Sequence, residues 1–292
     1  MPELPEVETI ACGLDRRVRG DVIESIWLGS KTEPLKSPAA EIVATLESKT
    51  ISGIRRVGKH IVIDLQPGEE AGDSPAKAGK SKARVSRKAA PSAQDQAQWI
   101  VHLGMTGRML VCSADEEIPK HTHAIAKLAS GRELRFVDPR RFGRLSVTHG
   151  FAAAGLEPLE VELDSFVKLF HGRKTSIKSA LLNQKLLSGV GNIYADESLS
   201  RAGIRPKRRA SSLSKEDLRR LYLALREVLK QAIKLGGSSV SDYVDADGEE
   251  GFFQLQHRVY GREGEPCPVC KTPIKRVVIG GRSSHYCPKC QK

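Results

Sequence analysis

Four cysteines, Cys267, Cys270, Cys287 and Cys290, stand as two C-x2-C pairs with 16 residues between them. In a reducing compartment that spacing describes a tetrahedral Zn site rather than disulfides, because each short turn aims two thiolates at one metal. The spacer suits a short hairpin. Four cysteine ligands leave no open position for water, so the expected role of the zinc is structural. Cys12 and Cys112 lie far apart in sequence and read as ordinary buried or half-buried thiols. At the opposite end the chain starts Met1-Pro2-Glu3-Leu4-Pro5-Glu6. Methionine before a small residue is usually removed, which would leave Pro2 with a secondary α-amine of pKa about 7.7–8, against about 10.4 for lysine. Attack of such an amine on a sugar C1′ gives an iminium with no N–H to lose, a strong electron sink for elimination. Glu3 and Glu6 place carboxylates where protons would have to move. Taken alone, the same residues also describe an ordinary chain start.

These groups need a scaffold. Val7, Ile10, Ala11, Leu14 and Val18 recur at helical spacing, with Pro5 suited to the first turn and Gly20 as a stop. The period then shortens to that of strands, over Val22–Leu28, Ile51–Val57, His60–Leu65, Trp99–Leu103, Arg108–Cys112, Ala124–Leu128, Glu133–Val137 and Arg144–Thr148. About eight short strands in ~130 residues predict an antiparallel β-sandwich. Residues 67–98 are rich in Ala, Lys, Ser and Pro and are expected to form a disordered insertion between two strands, inert or a loose DNA tether. From about residue 160 the pattern becomes helical, over Leu163–His171, Ser176–Asn183, Asn192–Ala202 and Lys215–Leu235. Ser214 with Asp217 forms a capping box for the last helix, and Gly236-Gly237 ends it. The expected class is α+β in two domains: residues 1–150 an N-terminal helix plus antiparallel β-sandwich, 151–255 a helical domain, and 256–292 a zinc-bearing β-hairpin appended to it.

Composition bounds the partners. The chain has 292 residues, 47 Lys+Arg against 35 Asp+Glu, and a net charge of +12. That balance favours a polyanion: nucleic acid, an anionic membrane or the ribosome. No apolar run approaches the ~18 residues that span a bilayer, and the acidic start lacks the features of a signal peptide. A cytoplasmic protein without a membrane partner is expected. The charge is uneven. Residues 163–292 hold 24 basic and 13 acidic residues, a net +11, which leaves +1 for residues 1–162.

Five segments in order, MPELPEVET, HLGMTGRM (102–109), DPRRFGRL (138–145), LLSGVGNIYADESL (186–199) and VYGREGEPCPVC (259–270), resemble bacterial formamidopyrimidine-DNA glycosylase. The likeness runs from Met1 to Lys292 and leaves mainly 67–98 uncovered. It implies a helix–two-turns–helix domain between the sandwich and the zinc finger. It further implies excision of 8-oxoguanine and formamidopyrimidines from duplex DNA, then strand cleavage by β,δ-elimination, in a monomer. Under the resemblance Pro2 is the Schiff-base nucleophile, Glu3 the acid that helps open the deoxyribose, and Glu6 a support of the pocket. Lys59 serves proton transfer or phosphate contact, and Arg282 grips phosphate and assists δ-elimination. Met105, Arg140 and Phe142 fill the gap left by a flipped base; these types suit wedging and hydrogen bonding in a duplex.

His121, Asn192, Arg173 and Lys178 are the remaining DNA contacts. Thr122 stands where an acidic residue is expected. Gly189-Val190-Gly191-Asn192 reads as a backbone that approaches a phosphate at a helix N-terminus. Two readings stay open for Arg141, a phosphate contact or an ion pair with Asp138, and for Glu197, a pocket residue or a structural acid. The segment Gly236–Gly251 resembles the family's lesion-capping loop, with Ser238, Ser239 and Tyr243 as candidate contacts. The alternatives are an endonuclease VIII type that prefers oxidised pyrimidines and a catalytically silent, zinc-bearing binder of damaged DNA. Leu4 and the long loop favour the purine enzyme; Pro2, Glu3 and Lys59 speak against the silent binder.

Overall fold

The computed structural model describes residues 1–68, 96–240, 243–246 and 248–292. The first helix, α1 (Leu4–Val18), buries the expected stripe Val7, Ile10, Ala11, Leu14 and Val18. Strands β1 (Val22–Leu28), β2 (Lys49–Val57), β3 (His60–Pro67), β4 (Ala97–His102), β5 (Arg108–Ser113), β6 (Thr122–Leu128), β7 (Arg132–Val137) and β8 (Arg144–His149) follow. They pair in the order β5-β7-β6-β1-β2-β3-β4-β8. All pairings are antiparallel. At its centre the sheet is almost divided, since β1 and β2 share only the pairs Val22↔Thr50 and Ile23↔Lys49.

The two halves then close on one core. Ile61, Ile63, Trp99 and Val101 from one half meet Ala124, Ala126, Leu134 and Phe136 from the other, together with the apolar stripe of α1. That closure is the expected sandwich. Residues 69–95, most of the expected insertion, lie outside the described residues, whereas Pro67 ends β3 and Ala97 and Gln98 open β4. The expected insertion is therefore too wide at both ends, because those residues pair in the sheet. A helix that periodicity did not predict, α2 (Ala39–Leu46), buries only Ile42 and Leu46.

The second core is helical. It joins α3 (Leu163–Phe170), α4 (Ile177–Leu181), α5 (Asn192–Ala202) and α6 (Lys215–Lys234). At the start of α6, the Ser214 hydroxyl accepts the Asp217 N–H at 3.0 Å and the Asp217 carboxylate accepts the Ser214 N–H at 3.1 Å, the predicted capping box. Leu4 of α1 belongs to this core rather than to the sandwich core. The chain finishes in the hairpin β9 (Lys275–Ile279) and β10 (Arg282–Tyr286), packed over a small core that includes Cys267 and Cys287.

Candidate active site

The start of α1 abuts the start of α5. The Leu4 N–H donates to the Gly189 carbonyl at 3.1 Å. The Glu3 carboxylate accepts the N–H groups of Ile193 at 3.1 Å and Tyr194 at 3.5 Å. A helix leaves its first N–H groups without internal partners, and an anion there is favoured by the helix dipole. The glycines of Gly189-Val190-Gly191 make this approach possible. A Cβ on Gly191 would lie 2.1 Å from the Glu3 carboxyl carbon, and one on Gly189, at φ +94°, would lie 2.9 Å from the Leu4 side chain. The turn was expected to admit a phosphate; its close neighbours here are the chain's own Glu3 and Leu4.

Glu6 completes a buried carboxylate pair. It accepts the Glu3 N–H at 2.8 Å, the Ser238 N–H at 2.8 Å and the hydroxyl of Tyr194. Burial pushes the Glu3 carboxyl up to about 7, against the pull of Lys59. Burial also raises Glu6, opposed by the Tyr194 hydroxyl and by the backbone donors. Lys59 sits on the β2–β3 turn beside Gly58 at φ +61°. Burial lowers its ammonium below the ordinary lysine value, with Glu3 and Glu6 opposing and Arg282 reinforcing the fall. A carboxyl whose pKa lies near neutrality, beside a second raised carboxyl and a lysine lowered by burial, is equipment for proton transfer.

Glu3, Lys59, Met105, Gly191, Asn192, Tyr260 and Arg282 line a cleft of about 320 Å³. Against it, Pro2, Glu6, Met105, Ser238, Val240 and Tyr243 line a smaller cavity of about 30 Å³. Met1 borders both. The structure thus gathers Pro2, Glu3, Glu6, Lys59, Asn192, Met105 and Arg282 from both halves of the chain.

Met105, which lines both cavities, and Phe142 are 40% and 48% exposed. The Arg140 guanidinium carbon lies 4.9 Å from the centre of the Phe142 ring. Buried Asp138 organises these loops by accepting the Thr106 hydroxyl at 2.6 Å, the Gly143 N–H at 2.7 Å and the Arg140 N–H at 3.3 Å. Neither reading of Arg141 describes its observed partner, since its guanidinium pairs with Glu33 at 2.8 Å. Exposed His121 has φ +71°, and its carbonyl accepts the Asp138 N–H at 3.0 Å. His123 is buried with Nε2 3.0 Å from the Asp138 carbonyl.

The basic residues of the helical half divide. Arg173 is exposed and folds its Nε–H onto the Leu169 carbonyl. Lys178 was expected to face DNA, yet it is fully buried, paired with Asp196 at 2.6 Å and donating to the Ser283 carbonyl at 2.7 Å. Its charge is satisfied inside the protein, holding β10 against α5. Glu197 is a structural acid: its carboxylate accepts the N–H groups of Arg258, Val259 and Tyr260 at 2.9–3.0 Å.

The sulfur atoms of Cys267, Cys270, Cys287 and Cys290 lie within 4.8 Å of one another. Two of the separations are 3.9 and 3.4 Å. A tetrahedron with Zn–S bonds of about 2.3 Å has S–S edges of about 3.8 Å, so the four thiols fit one zinc ion.

Sequence reasoning passed over Tyr194, which holds Glu6, and Tyr260, which lines the cleft. Both fall inside segments that carry the resemblance, but only the fold brings them to the site. Residues 1–145 match the formamidopyrimidine-DNA glycosylase N-terminal domain, 154–244 the formamidopyrimidine-DNA glycosylase H2TH domain, and 264–292 the zinc finger found in FPG and IleRS. The formamidopyrimidine-DNA glycosylase of Solibacter usitatus is 42% identical over 301 residues, with all of both chains covered. The MutM (Fpg) protein of Thermus thermophilus superposes with a TM-score of 0.80 at 37% identity, covering 99% of this chain and 98% of that one. Lactococcus lactis Fpg in complex with abasic-site DNA gives 0.83 at 30% identity, with 99% of both chains covered. From its N-terminal helix to its single structural zinc, this chain belongs to the formamidopyrimidine-DNA glycosylase family.

Proposed function

We propose that the chain excises oxidised purines from duplex DNA through a covalent intermediate on Pro2, and then cuts the strand as an abasic-site lyase. Family membership makes it a base-excision-repair DNA glycosylase. The observation that carries the finer reading is the convergence of Pro2, Glu3, Lys59 and Arg282 on adjoining cavities where the two cores meet. Once Met1 is removed, the Pro2 nitrogen attacks C1′ and the bond from C1′ to the damaged base breaks. Glu3, with its pKa near neutrality, holds a proton to give to the ring oxygen as the sugar opens. The resulting iminium acidifies the C2′ proton, and loss of that proton expels the 3′ phosphate; δ-elimination then expels the 5′ phosphate. Lys59 stands in the same cleft as a proton carrier, and Arg282 supplies a planar, permanently charged partner for a phosphate. Met105, Arg140 and Phe142 occupy the space a flipped base leaves, with Asn192, His121 and Arg173 as the accompanying DNA contacts.

The cation-rich helical half fits a DNA backbone, and each domain closes its own core. We infer a monomer that works in the bacterial cytosol without a membrane partner. Among the described residues no helix is long and apolar enough to cross a membrane. Lactococcus lactis Fpg has been solved with DNA containing N7-benzyl-Fapy-dG and with DNA containing an oxidised pyrimidine, so both lesion classes belong in the test. The protein is incubated with borohydride and duplexes carrying 8-oxoguanine opposite cytosine or an oxidised pyrimidine. The expected result is a covalent complex, faster on the purine; Pro2→Gly should bind lesion DNA yet lose most of its excision and trapping. Preference for the pyrimidine would move the chain to the endonuclease VIII reading, and binding without trapping would remove the enzymatic one. N-terminal mass spectrometry establishes beforehand that Met1 is gone.

A further inference from the structure

We propose that His257 is a positioning residue for base excision: it fixes the wall of the damaged-base cavity by holding Ser238. The inference rests on the glycosylase reading above. Ser238 is 4% exposed and lines the cavity beside Pro2 and Glu6. Its N–H donates to Glu6 at 2.8 Å, and its hydroxyl lies 3.1 Å from His257 Nε2. The same short segment also clamps the neighbouring residue, because the Gln254 side chain accepts the Ser239 N–H at 3.0 Å.

His257 is itself immobilised between two aromatic rings. Its ring centre lies 5.5 Å from that of Phe253 and 5.6 Å from that of Tyr260, both edge-on. Phe253 continues to Tyr194, the partner of Glu6, at 5.5 Å, and Tyr260 continues to His285 on β10 at 5.2 Å. A continuous file of rings therefore runs from the carboxylate pair to the zinc hairpin, with one hydrogen bond leaving it sideways to the cavity wall. Burial lowers the His257 pKa, so the imidazole is neutral near pH 7 and Nε2 can accept from the serine hydroxyl. Residues that line a pocket are effective only when their own rotamers are locked, and Ser238 has this lock on its side chain.

A gap in this wall should affect steps that use the base and spare those that do not. The measurement compares single-turnover excision of 8-oxoguanine with scission of a preformed abasic site, on the zinc-loaded protein. His257→Phe keeps ring packing and loses the hydrogen bond; the ratio of excision to scission should fall about fivefold, the factor one net hydrogen bond represents. His257→Gln, which retains an acceptor, should recover part of the ratio. Ser238→Ala should lower excision similarly, and adding it to His257→Phe should cost little more. An unchanged ratio in His257→Phe, equal losses in both reactions, or additive losses in the double variant would each overturn the proposal. Wild-type protein that neither excises nor cuts would instead sink the glycosylase reading on which it rests.

Discussion

Two junctions hold buried carboxylates in this molecule, and they are built on opposite plans. Where α5 meets the zinc hairpin, Asp196 is matched at once: Lys178 lies 2.6 Å from one oxygen, and the His285 N–H donates to the other at 2.8 Å. Where α1 meets α5, Glu3 and Glu6 share backbone and hydroxyl donors, with no cation among their hydrogen-bonding partners in the described residues. Lys59 acts on them only through its field. The first junction has settled charges and serves architecture. The second keeps its protons negotiable, which is what chemistry at a sugar requires.

The largest effect that separates the two junctions should come from Asp196→Asn. It strands a buried ammonium, and loss of one partner of a buried pair costs about 3–5 kcal/mol. Urea denaturation of the zinc-loaded protein checks it; a loss under about 1 kcal/mol would mean that Lys178 finds another partner. Replacing both members, Lys178→Met with Asp196→Asn, should restore much of the stability, since no charge is stranded and the amide oxygen can still accept the His285 N–H.

Next comes the pH dependence of Glu3. Its folded-state pKa is raised from 4.5 to about 7. Stability from the buried, protonated form is therefore fully present below about 4.5 and is lost as pH rises through 7, by up to about 3 kcal/mol. Glu3→Gln should flatten the stability profile across that window, and an unflattened profile would place the titration elsewhere.

Smallest is Gly191→Ala. Its φ of −129° suits any residue, so the cost is purely the contact with Glu3. A loss of about 1–3 kcal/mol is expected by thermal denaturation. In a Glu3→Ala background most of it should vanish, and persistence there would assign the clash to other atoms.

The legible parts of the fold were those written locally. The expected range of α5, Asn192 to Ala202, matches the observed one, and the helix ends at Gly203 with φ +72°. The start of α6 was announced by Ser214 and Asp217. By contrast α2 has neither a side-chain cap nor more than two buried residues, so periodicity had nothing to repeat. Errors at the site share one cause, which is distance along the chain. Lys178 looks like a surface cation until Asp196 and β10 close over it, and in place of an Arg141–Asp138 ion pair the guanidinium finds Glu33, 108 residues away. Glycines 189 and 191 announce a close approach without saying what approaches. The hydrogen bond between Ser238 and His257 links two commonplace side chains, and no local pattern marks it.

Glu3 takes its N–H donors from residues 190 and 191 positions further along the chain. In a chain made from the N-terminus onward, α1 can pack its stripe on the sandwich long before α5 exists. Its first turn, however, stays open to solvent until residues 189–194 arrive. The interval leaves the N-terminus accessible to a processing enzyme, whereas in the finished fold Pro2 is buried. Glu3 lacks its raised pKa throughout that time, because the burial that raises it has not happened. The first turn of α1 thus acquires its chemistry only when a segment far along the chain closes on it.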